Sequence, residues 1–270
     1  MTFYILLFLT GLLGGFIGGL IGVGGGIIFI IILPQALTHL GVQPAELAQY
    51  QIANSLVAMM AASFSANYTH IKGKNFWPKQ IVSISVTAML TGLLTQYYIV
   101  NTPYYDKTTF NIIILILLGY MVLRTIMFAR SPGTAQPGDI PAYKLSLVGL
   151  VSGVVTSLSG LGGGIIIIPL LNTVFKLPVT AAQSISMGTI GIMATAVSIG
   201  NVFAHPAGPH IAGSYGYIVL PVALPLAFGV ALTSSLGVTT SKKLPSHVIS
   251  YTFSAFIMLT ILKTIWELVK

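Results

Sequence analysis

Gly22-Val23-Gly24-Gly25-Gly26 lies inside an apolar run from Phe3 to Leu33, and Gly160-Leu161-Gly162-Gly163-Gly164 lies inside a second run over 143–172. Isoleucines and a proline follow each copy, Pro34 and Pro169. Consecutive glycines remove side chains and weaken a helix at one point. Their reading decides the fold. A straight helix of about 30 residues would be about 45 Å long, which overshoots a hydrocarbon core of about 30 Å. A break, a strong tilt or a re-entry is therefore expected at the glycines.

The rest of the chain fits a membrane setting. Of its 270 residues 55% are hydrophobic and only 6% are charged, and the mean hydropathy is +0.93. No soluble domain of this size needs so little charge. Six further apolar segments, over 46–69, 78–100, 108–129, 180–203, 214–240 and 246–268, each suit one crossing. The net charge of +8 comes without a contiguous basic arm, so nucleic acid is not the expected partner. Lysines and arginines fall between apolar segments, where they set orientation in a bilayer. There is no cysteine, which excludes disulfides and Cys-ligated zinc. Met1-Thr2-Phe3 carries no basic n-region, so a cleaved signal peptide is not expected.

The two halves resemble each other beyond the glycines. Gly11, Gly15, Gly22 and Gly24–Gly26 correspond to Gly149, Gly153, Gly160 and Gly162–Gly164 at a constant spacing. Farther along, Pro44, Ala48 and Gln49 correspond to Pro178, Ala182 and Gln183, and Asn54-Ser55 falls on Gly188-Thr189. Asn67 meets Asn201, Gly92 meets Gly229, and Arg124-Thr125-Ile126 meets Lys263-Thr264-Ile265. The expected organisation is an all-α polytopic membrane protein of two four-segment repeats, 1–129 and 143–270, joined by a linker at 130–142. If the glycine runs turn back, the halves are inverted, and basic residues divide nine to three across the membrane. If they cross, the halves are parallel and the division is eight to four. The positive-inside rule favours inversion with both termini outside.

The earlier glycines have a plain packing explanation. Gly11, Gly15 and Gly19, and likewise Gly14, Gly18 and Gly22, recur every four residues as small-xxx-small faces. The triplets Gly24, Gly25, Gly26 and Gly162, Gly163, Gly164 do not fit such a face. They instead suggest discontinuous helices whose second parts start near Gly26 and Gly164, with free N–H groups and a positive dipole end at membrane depth. Such starts bind anions, and broken helices facing the midplane recur in transporters. A dinucleotide fingerprint fails at Ile27, and no Lys-Ser/Thr pair makes a P-loop.

Polar residues cluster on the second and sixth segments: Gln49, Gln51, Asn54, Ser55, Ser63 and Asn67, then Gln183, Ser184, Ser186, Thr189, Ser198 and Asn201. Interhelical hydrogen bonding is the simpler role for most of them. Gln49, Asn54, Ser55, Gln183, Ser186 and Thr189 are the ligand candidates, because they offer neutral donors to an oxyanion. Glu46, Asp106, Asp139 and Glu267, the only acids, sit near segment ends, so no buried carboxylate relay is expected. Arg124 and Lys263 are expected to snorkel. His39, His70, His205, His210 and His247 show no metal spacing and are expected at interfaces, with proton coupling through His70 or His205 as the alternative.

With two G-x-GGG copies each followed by an aliphatic run and a proline, Gly22–Pro34 and Gly160–Pro169, the chain resembles the sulfite exporter TauE/SafE family of membrane permeases. In each copy a second helix opens near a proline and carries a small polar pair, although Asn54-Ser55 differs from Gly188-Thr189. The resemblance spans nearly the whole chain. It implies transport of small anions, such as sulfite or organosulfonates, across the cytoplasmic membrane of a prokaryote. Expected partners are that anion and the lipid bilayer. No cofactor, metal or covalent chemistry is expected, since no nucleophile–base pair is found. Alternatives are a permease or channel for another small solute, an organic acid or a cation, and a non-transporting membrane subunit. The substrate, flux direction, coupling and any homo-oligomer stay open at this point.

Overall fold

The structure is a computed structural model and describes residues 2–101, 107–128 and 135–269. Ten α-helices make up nearly all of it: α1 Thr2–Ile21, α2 Gly26–His39, α3 Leu47–Lys72, α4 Pro78–Asn101, α5 Lys107–Phe128, α6 Ala142–Ser159, α7 Gly164–Pro169, α8 Val179–Val202, α9 Leu220–Ser241 and α10 Ser246–Val269. Five of them, α1, α4, α6, α8 and α9, are long and apolar enough to cross a membrane. Asp106 and Arg130 lie outside the described residues, as do the side chains of Arg124, Lys263 and Glu267.

Both long apolar runs break at their glycines. After Ile21 the chain turns through Gly22, Gly24 and Gly25 at φ of 91°, 75° and 86°, left-handed values that cost any other residue energy. The new helix, α2, heads back along α1, and His39 at its far end lies 5.5 Å from the Phe3 ring. At 14 residues α2 is about 21 Å long, too short to span. In the second half Gly160 caps α6 at φ 63°, Gly162 follows at φ 81°, and α7 starts at Gly164. Its six residues pass at Leu170 into a π-helical turn, Leu170–Val174.

The pairing of helices is matched between the halves. α1 packs on α9 as α6 packs on α4, and α3 packs on α9 as α8 packs on α4. Close glycine contacts fix the directions. A methyl group on Gly11 or Gly15 would come 2.5 Å from the Leu226 or Val230 carbonyl oxygen, so α1 and α9 approach backbone to backbone and run parallel. Thr87 and Thr91 donate to the carbonyls of Ser146 and Leu150 at 2.8 and 3.1 Å, so α4 and α6 are also parallel. Gly188 packs on Ile81 and Gly200 on Leu93, which aligns α8 with α4. Asn54 bonds to Val219 and Ser65 to Ala231, which aligns α3 with α9. Because α3 and α4 are joined by a short turn, α1, α3 and α9 point one way and α4, α6 and α8 the other.

The seventh segment departs from a single apolar span over 214–240. It starts as a two-stranded antiparallel hairpin, β1 Ser214–Tyr215 with β2 Ile218–Val219, and only then becomes α9. Gly216, at positive φ, sits in the turn, and Gly213, also at positive φ, leads into β1.

Candidate functional site

The two breaks meet each other at the centre of the molecule. A methyl group on Gly26 would lie 2.7 Å from the Leu161 carbonyl oxygen, and one on Gly164 would lie 2.7 Å from the Gly22 carbonyl oxygen. Only glycine lets these two backbones come so close. The ladder of α2 opens with the Ile28 N–H donating to the Gly25 carbonyl at 3.0 Å, so the amides of Gly26 and Ile27 precede it. In α7 the Ile166 N–H donates to the Gly163 carbonyl at 2.9 Å, and the Gly164 amide precedes that bond. Two helix starts with their partial positive ends therefore converge on a fully buried crossing.

The long helices α3 and α8 hold this crossing from either side. Ser55 on α3 donates to the Gly160 carbonyl of the second break at 2.6 Å. Ser186 on α8 donates to the Gly22 carbonyl of the first break at 2.8 Å. Each serine thus grips the break belonging to the opposite half. Gln183 adds a bond from Nε2 to the Leu20 carbonyl at 2.8 Å. Thr189 is enclosed, and its hydroxyl is unpaired. The side chains named here are all uncharged, which leaves the helix ends as the main electrostatic feature.

Of the candidate residues, the six triplet glycines with Ser55, Gln183 and Ser186 are brought together. Asn54 is not. Its amide donates to the Tyr217 carbonyl at 3.0 Å and its carbonyl accepts from the Val219 N–H at 3.0 Å, pinning the hairpin. Gln49 is buried in the first turn of α3. The earlier glycines pack as the four-residue spacing suggests: Gly11, Gly15 and Gly19 meet α9, whereas Gly14 and Gly18 receive the Phe29 ring and the Gly24–Gly25 backbone.

Glu46 does more than open a helix. Its carboxylate accepts the Ala207 and Gly208 N–H groups at 2.8 and 2.9 Å and the Tyr217 hydroxyl at 3.2 Å. Burial and then Glu46 push the Tyr217 phenol well above its ordinary pKa. The stretch 203–219 is thereby clamped over one end of α3 and forms an open pocket of about 220 Å³ lined by Tyr50, His205, His210 and Ser214. Of the histidines, His39, His205, His210 and His247 are exposed as expected at an interface. His70 instead is enclosed, with neither ring nitrogen hydrogen-bonded.

A chain that is almost entirely helical, with five helices long and apolar enough to cross a membrane and two helix breaks packed together in its interior, has the build of a membrane transporter. The sequence profile of the sulfite exporter TauE/SafE family matches residues 7–264, and the chain belongs to that family. It is 28% identical over 248 residues to a probable membrane transporter protein of Methanocaldococcus jannaschii, covering 90% of this chain and 88% of that one. It is 24% identical over 262 residues to a probable membrane transporter protein of Haemophilus influenzae, covering 95% and 96%. A third relative, the probable membrane transporter protein YunE of Bacillus subtilis, is 23% identical over 264 residues, covering 91% of each. No solved structure matches the chain. The family and these relatives are membrane transporters, not enzymes.

Proposed function

We propose that the protein carries a small sulfur-containing anion, sulfite or an organosulfonate, across the cell membrane, and that the anion binds where the two breaks meet. One observation carries this reading: the N-terminal ends of α2 and α7 converge on one buried crossing whose supporting side chains are uncharged. Thr189, three residues along α8 from Ser186 and with an unpaired buried hydroxyl, is taken as the additional donor on its place in the helix alone. Ser55 and Ser186 act through the backbone, because each hydroxyl proton is spent on a carbonyl of a break, and Gln183 commits one amide N–H to the Leu20 carbonyl at the end of α1.

The halves 1–129 and 143–270 are read as inverted copies that rock against each other around this site. The opposed directions of α1 and α6, and of α3 and α8, support that reading. It places nine of the twelve basic residues on the side of the turn at 73–77, which the positive-inside rule makes cytoplasmic. Accessibility tags at Lys74 and at the C-terminus should then report opposite sides; both on one side excludes inversion.

Among the described residues the acids Glu46 and Asp139 lie outside the crossing, so transport is expected to run without carboxylate coupling. Proteoliposome flux of radiolabelled sulfite, set against an alkylsulfonate, a carboxylate and a monovalent cation, tests the function. Saturable flux of the sulfur anions, persisting when the proton gradient is collapsed at constant voltage, is expected. Flux of the cation alone would overturn the proposal.

A further inference from the structure

Met59 is completely enclosed near the middle of α3 and touches both breaks at once. A Cβ on Gly24 would sit 3.1 Å from its Cγ, and a Cβ on Gly162 would sit 2.9 Å from its Sδ. Both glycines hold left-handed backbone, at φ 75° and 81°, so their bare surfaces are fixed by conformation as well as by space. The side chain that fills the gap they leave is therefore Met59.

Ile190 on α8 also approaches Gly162, its Cδ1 3.6 Å from where that Cβ would be. The two walls differ in what they can do. Isoleucine is branched at Cβ and nearly locked at χ1 within a helix. Methionine is unbranched, has three rotatable side-chain bonds, and can leave a space without moving its helix. Ser55, one turn earlier on α3, meanwhile keeps the second break in place through the Gly160 carbonyl. An apolar thioether offers an oxyanion no hydrogen bond; what it offers is the volume it vacates.

We propose that Met59 is the movable plug that closes the path between Gly24 and Gly162, and that the space it vacates sets the largest anion that passes. The proposal rests on the anion reading given above. It assigns size selection to one apolar side chain, while charge selection stays with the helix starts.

Two experiments test it. The first measures flux of sulfite against a bulky alkylsulfonate in Met59→Ala, Met59→Leu and Met59→Ile, with membrane protein quantified in each. Met59→Ala should raise the bulky-to-sulfite ratio about ten-fold, the usual scale of discrimination in an apolar pocket. Met59→Leu should keep the ratio, and the stiff Met59→Ile should slow both anions. An unchanged ratio in Met59→Ala overturns the proposal. Because wild-type flux reports on the anion reading by itself, a positive wild type with an unchanged ratio sinks only the plug.

The second uses the absence of native cysteine. Met59→Cys provides a unique thiol, read with small anionic and uncharged methanethiosulfonates in membranes. The control is Ile84→Cys, at an equally enclosed site where α4 packs on α6. The thiol at position 59 should react with both reagents and be protected by sulfite, and the thiol at 84 should be inert. Equal inertness at both sites overturns the plug. Labelling by the uncharged reagent without sulfite protection keeps the path and removes the anion reading.

Discussion

The two breaks are alike in sequence and differ in geometry. At the first, Gly22, Gly24 and Gly25 are all left-handed, and the helix that follows runs 14 residues. At the second, Gly160 and Gly162 are left-handed but Gly163 is right-handed, and α7 gives way to a π-helical turn after six residues. The connections that follow α3 and α8 differ as well. α3 turns into α4 over five residues, while α8 reaches α9 through the 203–219 stretch that Glu46 clamps. The matched contacts, Ser55 on one break and Ser186 on the other, sit where the breaks touch. The halves thus agree at the crossing and diverge away from it, as expected if the crossing is what function constrains.

The sharpest way to break this comparison is to substitute the third glycine of each motif. Gly25→Ala combines a left-handed backbone, costing about 1–2 kcal/mol, with a methyl placed 2.5 Å from the Gly14 carbonyl oxygen. Flux should fall at least about ten-fold while the chain still inserts, since the α1–α9 contact at Gly11, Gly15 and Gly19 is untouched. Gly163→Ala meets only Ile167, Ser152 and Thr156 side-chain atoms at 3.2 Å on ordinary backbone, and should change flux less than about two-fold. Equal losses at the two positions would mean that the left-handed turn is not what matters.

Next in size are the two serines. Ser55→Ala and Ser186→Ala each leave a buried carbonyl unpaired, costing about 1 kcal/mol, or about 2–4 °C in Tm for a chain of this size. The two losses should be similar, and the double variant should deviate from their sum, because both bonds hold one crossing. A large loss from one serine only would make the symmetry accidental. The smallest effect belongs to the clamp. Glu46→Gln keeps the shape but has one acceptor oxygen where two N–H groups and a phenol converge, so limited proteolysis within 203–217 should speed up about three-fold while Tm moves by under about 2 °C. Faster cutting elsewhere would place the clamp's role outside the hairpin.

Much of this was legible in the sequence. Glycine triplets in over-long apolar runs announce a break, because no straight helix of that length fits a bilayer, and the four-residue glycine spacing announces close packing. Other features left no local trace. Ser55 and Ser186 are structural counterparts, each donating to a carbonyl of the opposite break, yet aligning the halves sets Ser55 opposite Thr189, nearly one helical turn away. Contacts across more than 100 positions of sequence have no local periodicity to reveal them. Met59 is an apolar residue among apolar residues and carries no compositional signal. Glu46 reads as a first-turn acid because the amides it binds belong to the loop that leads into a hairpin, about 160 positions later. Gly213 and Gly216 were the available hint of that hairpin.

The central claim is that an anion sits where the two breaks converge, and thermal unfolding of the purified protein tests it most directly. Sulfite or a small alkylsulfonate at saturating concentration should raise Tm by several degrees, whereas sodium or potassium as the varied ion should not, in line with about 2.7 kcal/mol of stabilisation at a hundred times Kd. No stabilisation by sulfite, sulfonates, sulfate, thiosulfate or carboxylates would contradict the account.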